Sequence, residues 1–171
     1  MWKWIIALGG ALLFGWFLWF QMNTTKISYV NGLAPYDVMP GREYILQHDS
    51  YVFAWKKNPT SGFPLLGANA PSVRTSVSAL PANSSRDNIG REFAEVRIVD
   101  LIPRGTRLLV TSVRREQSRR AGTVITYEAK LLDEVDRAYQ KVDLRPMLLP
   151  VAQGGDVPVI DETIAVPWIK R

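Results

Sequence analysis

The stretch WKWIIALGGALLFGWFLWFQM constrains this chain more than anything that follows it. From Trp4 to Met22 it runs 19 residues that are apolar or glycine, with Gln21 as the exception. A helix of that length rises roughly 28 Å, close to the hydrocarbon thickness of a bilayer. A helix packed on a water-soluble core shows a polar face every turn, and this run has none. The sequence therefore predicts a membrane anchor over residues 1–22. The run ends in Trp16, Phe17, Trp19 and Phe20 without a small-x-small pair near Met22, which suits a retained anchor better than a cleaved signal peptide. With no cysteine in the chain, a lipid-modified cysteine is excluded as well.

Charge sets the expected orientation. Lys3 and the terminal amine flank the start, while Gln21-Met22-Asn23-Thr24-Thr25 precedes Lys26 on the far side. This favours a cytoplasmic N-terminus and a single pass. Trp2 and Trp4 at one end, and Trp16 and Trp19 towards the other, match interfacial aromatic belts. The remainder is then expected outside the cytoplasm, in a bacterial inner membrane facing the periplasm. A cysteine-free domain there must rely on its own core. Beyond Met22, 20 lysines and arginines stand against 16 acids, mildly basic but not a nucleic-acid signature.

The rest of the chain reads as mainly β. Residues 23–41 look like a stalk, with a short β-prone run from Ile27 to Val30 and then Gly32, Pro35, Pro40 and Gly41 as turn residues. A β-rich domain is expected over 42–149. It opens with two short strands, or one bent strand, across Glu43–Trp55, where β-branched and aromatic residues dominate and Asp49-Ser50 marks a break. Residues 56–91 form a long loop insertion, because 17 of these 36 residues are Pro, Gly, Ser or Asn. EFAEVRIVDLI, TRLLVTSVRR and TVITYEAKLL then read as an antiparallel meander, with DEVDRAYQKVDL as one or two helical turns after it. The prolines at 146, 150, 158 and 167 and Gly154-Gly155 make 150–171 an extended tail. The fold class expected is one transmembrane helix followed by a small antiparallel β-barrel or meander.

Within this, LIPRGTRLLVTSV (101–113) resembles the strand–turn–strand signature of bacterial Src-homology-3-like domains: an apolar residue, a basic-glycine turn, then an alternating strand. The resemblance covers about 13 residues and implies a small β-barrel that binds peptides or cell-wall material. It carries over no ligand-contacting residue.

No catalytic constellation emerges. His48 is the sole histidine, which leaves a zinc site short of ligands, and no metal or cofactor is expected. Asp133, Glu134 and Asp136 lack the spaced oxygen ligands of a calcium loop and read as a solvated helix start. There is no G-x-S-x-G, S-x-x-K, P-loop or dinucleotide fingerprint. Two features remain. Ala7, Ala11 and Gly15, spaced by four, share one face along which another membrane helix could approach closely. Arg114, Arg115, Arg119 and Arg120 in VRREQSRRAG cluster at an expected hairpin tip, where they could grip anionic lipid or glycan; a charged tip for solubility is the plainer reading. The leading expectation is a non-catalytic binding or scaffolding subunit of a cell-envelope assembly, in contact with the membrane and with another membrane protein. The alternatives are a lipid- or glycan-binding module using the arginine tip, and an envelope hydrolase.

Overall fold

The computed structural model describes residues 2–55, 65–67, 84–93, 96–118, 122–133, 140–149 and 157–169; the side chains of 2–8, 20–23, 55, 65 and 67 lie outside that description. The chain forms two compact units, Met1–Ser28 with Arg115–Ile125, and Tyr29–Arg114 with Thr126–Arg171.

The first unit carries the apolar segment as a helix, α1 (Trp2–Asn23), which has no charged residue in its last turn. Every side chain described on it, from 9 to 19, is exposed. Among the described residues no helix is long and apolar enough to cross a membrane.

The strands are β1 (Thr25–Tyr29), β2 (Glu43–Leu46), β3 (Ser50–Trp55), β4 (Leu65–Gly67), β5 (Glu92–Phe93), β6 (Val96–Ile102), β7 (Arg107–Ser118), β8 (Gly122–Leu131), β9 (Lys141–Asp143) and β10 (Ala165–Pro167). Among the described residues they follow the order β10-β2-β7-β8-β9-β4-β3-β6-β5, with β1 paired to β7. The β4–β9 contact is parallel, while β2–β7, β3–β6 and β8–β9 are antiparallel.

The second unit is organised by one long bent ribbon. Glu43 pairs with Leu109, Ile45 with Arg107, Ser50 with Ile102 and Val52 with Asp100, so one register runs through both β2–β7 and β3–β6 until a bulge at Val52/Phe53. Both strands turn at the same place. There Leu46 N–H donates to Thr106 O at 3.0 Å and Gly105 N–H donates to Leu46 O at 2.8 Å. The Asp49 carboxylate accepts the Arg104 N–H at 2.8 Å and ties one bend to the other. Gly105 makes the turn with φ at +88°, a conformation costing a residue with a Cβ about 1–2 kcal/mol. Of the two alternatives expected across Glu43–Trp55, two short strands are present, β2 and β3. PRG, however, is a corner and not a hairpin: among the described residues β6 pairs with β3 and β5 and not with β7, so β6, β7 and β8 are not a three-strand meander.

The sheet is open and not the closed barrel expected. Its ends explain why. Gln47 donates to Ile164 O and Glu43 O accepts from Trp168, so Ile164 and Trp168 face β2 and the alternate residues Ala165 and Pro167 face away. Ala165 N–H is already given to Asp161 O, and proline has none. β10 thus offers a further strand no free donor, and the opposite end, β5, is two residues long.

The same packing draws in three further segments. The stalk is largely folded: Val30 and Met39 are buried, Val30 N–H donates to Val113 O, and Tyr36–Val38 forms a 3-10 turn. The tail returns to the body, with Ile160, Ile164 and Ala165 buried and β10 paired to β2. Where helical turns were expected, residues 141–143 form a strand, and 134–139 lie outside the described residues. Tyr51, Phe53, Val96, Ile98 and Leu101 form one buried cluster, with Phe93 packed against it. On β8 the apolar side, Tyr127, Ala129 and Leu131, is buried, and so are Thr126 and Glu128 on the other side. A strand covered on both faces has to satisfy its polar residues internally.

Candidate functional site

That requirement is met by the first of two polar constellations. Glu128 and Asp143 are cross-strand partners on β8 and β9, and Arg114 reaches both from β7. Arg114 Nη1 lies 3.4 Å from Glu128 Oε1 and Nη2 lies 2.7 Å from Asp143 Oδ2. All three residues are at most 3% exposed. Ser112 donates to Glu128 Oε2 at 2.6 Å and the Thr126 hydroxyl donates to Asp143 Oδ1 at 2.5 Å. Arg145 adds its backbone N–H to the same Asp143 oxygen at 2.8 Å. From the surface, Tyr29 donates its hydroxyl to Glu128 Oε1 at 3.3 Å. Partial burial and then the Glu128 charge hold the Tyr29 phenol above its ordinary value. Two carboxylates, one guanidinium and several hydroxyls, closed from water, make a structural ion network.

The second constellation is open to solvent. A groove of about 550 Å³ is lined by Arg42, Glu43, Tyr44, Arg107, Pro167 and Trp168. Residues 42–44 enter it because β2 begins there, and Trp168 because β10 delivers the chain alongside. Arg107 is the fixed point. Its Nε and Nη2 donate to Asp133 Oδ1 at 3.1 and 2.8 Å, and its backbone N–H donates to Asp133 Oδ2 at 2.8 Å. These bonds hold the Asp133 carboxyl below the usual carboxylate range and raise the Arg107 guanidinium. The guanidinium carbon lies 5.9 Å from the centroid of the Trp168 ring, a cation–π distance. Glu43 Oε2 stands 3.8 Å from Arg107 Nη1, near enough for attraction and too far for a hydrogen bond. Arg42 donates Nε to Val38 O at 2.7 Å. Among the described residues the Glu43 carboxylate, the Arg42 Nη atoms and the Trp168 indole N–H make no hydrogen bond.

The sequence-derived candidates fall differently. Arg114 is no tip residue: it is buried and bound by two carboxylates, so it is not available to an external anion. Arg115 is half-buried, and Arg119 and Arg120 lie outside the described residues. Of the two described arginines, Arg114 is thus committed inside the protein. Ala11 and Gly15 are exposed on α1, while the Ala7 side chain is outside the description. Asp133 serves Arg107; Glu134 and Asp136 are outside the described residues. Among the described residues no group of acids and histidines is placed to hold a metal. The groove went unseen in the sequence because its members are about 60 positions apart, and only the alternation of Arg107 with Leu108 on β7 hinted at an outward arginine. No family model matches the chain, no curated protein matches it and no solved structure matches it.

Proposed function

We propose that the chain is a single-pass membrane-anchored, non-catalytic binding or scaffolding subunit of a cell-envelope assembly, presenting its β-rich part outside the cytoplasm. One observation carries the reading. Leu12, Leu13, Phe14, Trp16, Phe17, Leu18 and Trp19 are all exposed on α1. At 100° per residue these positions point in every direction round the helix, so no single apolar face exists that a protein surface alone would cover. Such surface is stable in lipid, or in lipid shared with a partner helix. The apolar sequence from Trp4 to Met22 supports the same reading along the remaining length of the 22-residue helix.

Two measurements test it. Expressed in a bacterial cell, the full chain is expected to pellet with membranes and to resist alkaline carbonate extraction. A C-terminal tag is expected to be digested when protease is added to spheroplasts. Release into the soluble fraction by carbonate sinks the anchor. A protected tag overturns the orientation. In a mild-detergent pull-down, a membrane partner lost from Ala7→Leu/Ala11→Leu/Gly15→Leu assigns the docking surface to the helix, and a partner retained by that variant assigns it to the β-rich part.

A further inference from the structure

We propose that the groove between Arg42, Glu43, Arg107 and Trp168 binds a neutral, polyhydroxylated ligand: a hexose or hexosamine residue of a glycan. The inference goes beyond the membrane reading and stands whether or not α1 enters a bilayer.

Charge selects the ligand class. The groove is lined by two cations, Arg42 and Arg107, and one anion, Glu43, and Arg107 is paired with Asp133 outside the lining. What is left for a ligand is one cation and one anion. An anion drawn to Arg42 meets the Glu43 carboxylate, and a cation drawn to Glu43 meets both arginines. A neutral ligand that both donates and accepts gains from each.

The hydrogen-bonding groups fit that class. The Glu43 carboxylate accepts, the Arg42 Nη atoms and the Trp168 indole N–H donate, and none of these makes a hydrogen bond among the described residues, Glu43 having only its 3.8 Å ion pair with Arg107. The 3.8 Å gap between Glu43 Oε2 and Arg107 Nη1 leaves both able to reach one hydroxyl placed beside them. Vicinal hydroxyls, each a donor and an acceptor, satisfy such a mixed set, whereas a carboxylate or phosphate satisfies its donors alone.

The walls supply the rest. Trp168 is 42% exposed, and its backbone is fixed by donation to Glu43 O at 2.8 Å. Arg107 over the ring restrains its orientation. An aromatic plane held in this way packs against the C–H face of a pyranose at little entropic cost. The volume of about 550 Å³ lies in the range of small-molecule sites and is wide enough for one or two sugar rings.

The test uses the full chain in dodecylphosphocholine micelles, whose headgroup carries no sugar. Proton–nitrogen correlation spectra are recorded during titration with chitobiose, maltose and cellobiose, and with inorganic phosphate and a proline-rich peptide as contrasts. At least one sugar is expected to shift the Trp168 indole and Glu43 amide signals saturably, with no change on adding salt. Trp168→Ala is expected to weaken that binding about ten-fold or more, corresponding to a lost contact of about 1.4 kcal/mol. Glu43→Gln, a surface change that leaves the fold intact, is expected to weaken it several-fold, and Trp168→Phe to retain it. The proposal is overturned if no sugar moves these signals, if phosphate or the peptide moves them instead, or if sugar binding survives both Trp168→Ala and Glu43→Gln.

Discussion

Glu128 and Asp143 stand directly opposite each other on neighbouring strands, both buried, and Arg114 closes the pair from β7. Facing carboxylates at this spacing repel. Removing both from water without a counter-charge costs several kcal/mol per ion. The surrounding hydroxyls of Ser112, Thr126 and Tyr29 and the Arg145 N–H each donate to one of these carboxylate oxygens. Arg114 is thus the residue on which β7, β8 and β9 depend for their mutual placement.

Arg114→Met keeps the length of the side chain and removes its charge. It is expected to destabilise the protein by about 3–5 kcal/mol, because two buried acids are left with only the Arg145 guanidinium, 4.0 Å from Asp143 Oδ2, as counter-charge. Neutralising them as well, in Arg114→Met/Glu128→Gln/Asp143→Asn, is expected to return much of the loss. Urea unfolding of both variants by circular dichroism checks this. A single variant within 1 kcal/mol of the parent shows that the network does not hold the strands.

Tyr127 ties the C-terminal segment to the body through its hydroxyl, which donates to Pro158 O at 2.5 Å. Tyr127→Phe is expected to cost about 1–2 kcal/mol, since the acceptor is left inside the protein. Burial also pushes the Tyr127 phenol well above its ordinary value. A group whose folded value is raised contributes stability that is complete below its unfolded value, near 10 for tyrosine, and is lost as pH rises beyond it. Stability is therefore expected to fall above about pH 10. The fall should be shallower in Tyr127→Phe, as followed by urea midpoints at rising pH beside phenolate absorbance.

Asp133 gives the opposite sign. The Arg107 hydrogen bonds depress its folded value, so its contribution is present above the unfolded value near 3.9 and is lost as pH falls towards the folded one. Both side chains are more than a third exposed, so the effect on stability is small. Its local consequence is larger. As pH falls through this depressed folded value, below the ordinary carboxylate range, Arg107 is expected to leave its place over Trp168, and Asp133→Asn to produce the same change at neutral pH. The Trp168 indole signal reports both. An indole signal indifferent to pH and to Asp133→Asn means that the stacking does not depend on this pair.

How much of this was legible differs from residue to residue, and the difference is physical. The apolar helix and the two short strands within 43–55 follow from local composition, which a helix and a strand both express within a dozen residues. The corner does not, because the register that joins Glu43 to Leu109 and Ser50 to Ile102 is a relation between distant segments. Arg114 was misplaced because VRREQSRR is one charged run in composition. Strand parity separates its members: Arg114 is spaced by twos from the buried Leu108 and Val110, while Arg115 falls on the alternate face. An arginine buried on the Thr126 and Glu128 face requires buried acids, and β8 and β9 hold Glu128 and Asp143. In the tail the prolines dominated the reading, although Ile160, Ile164 and Ala165 marked a segment with apolar surface to bury.

The outer edge of β10 gives a final expectation. Trp168 and Ile164 turn their backbone groups to β2, Ala165 N–H is spent on Asp161 O, and Pro167 contributes no donor. An exposed edge strand lacking donors cannot template another strand, which is how natural sheets avoid joining edge to edge. Pro167→Val adds one outward N–H and a β-branched side chain without touching the pairing of β10 with β2, since Pro167 makes no bond to Glu43 or Ile45 in that register. Its folding stability is expected to stay within about 0.5 kcal/mol of the parent, as for other surface changes. Self-association is expected to rise with concentration. Analytical ultracentrifugation in detergent of matched density separates the two effects. A variant that stays at the parent's size at every concentration shows that the proline does not guard this edge, and that the turn from Asp161 to Ala165 already does.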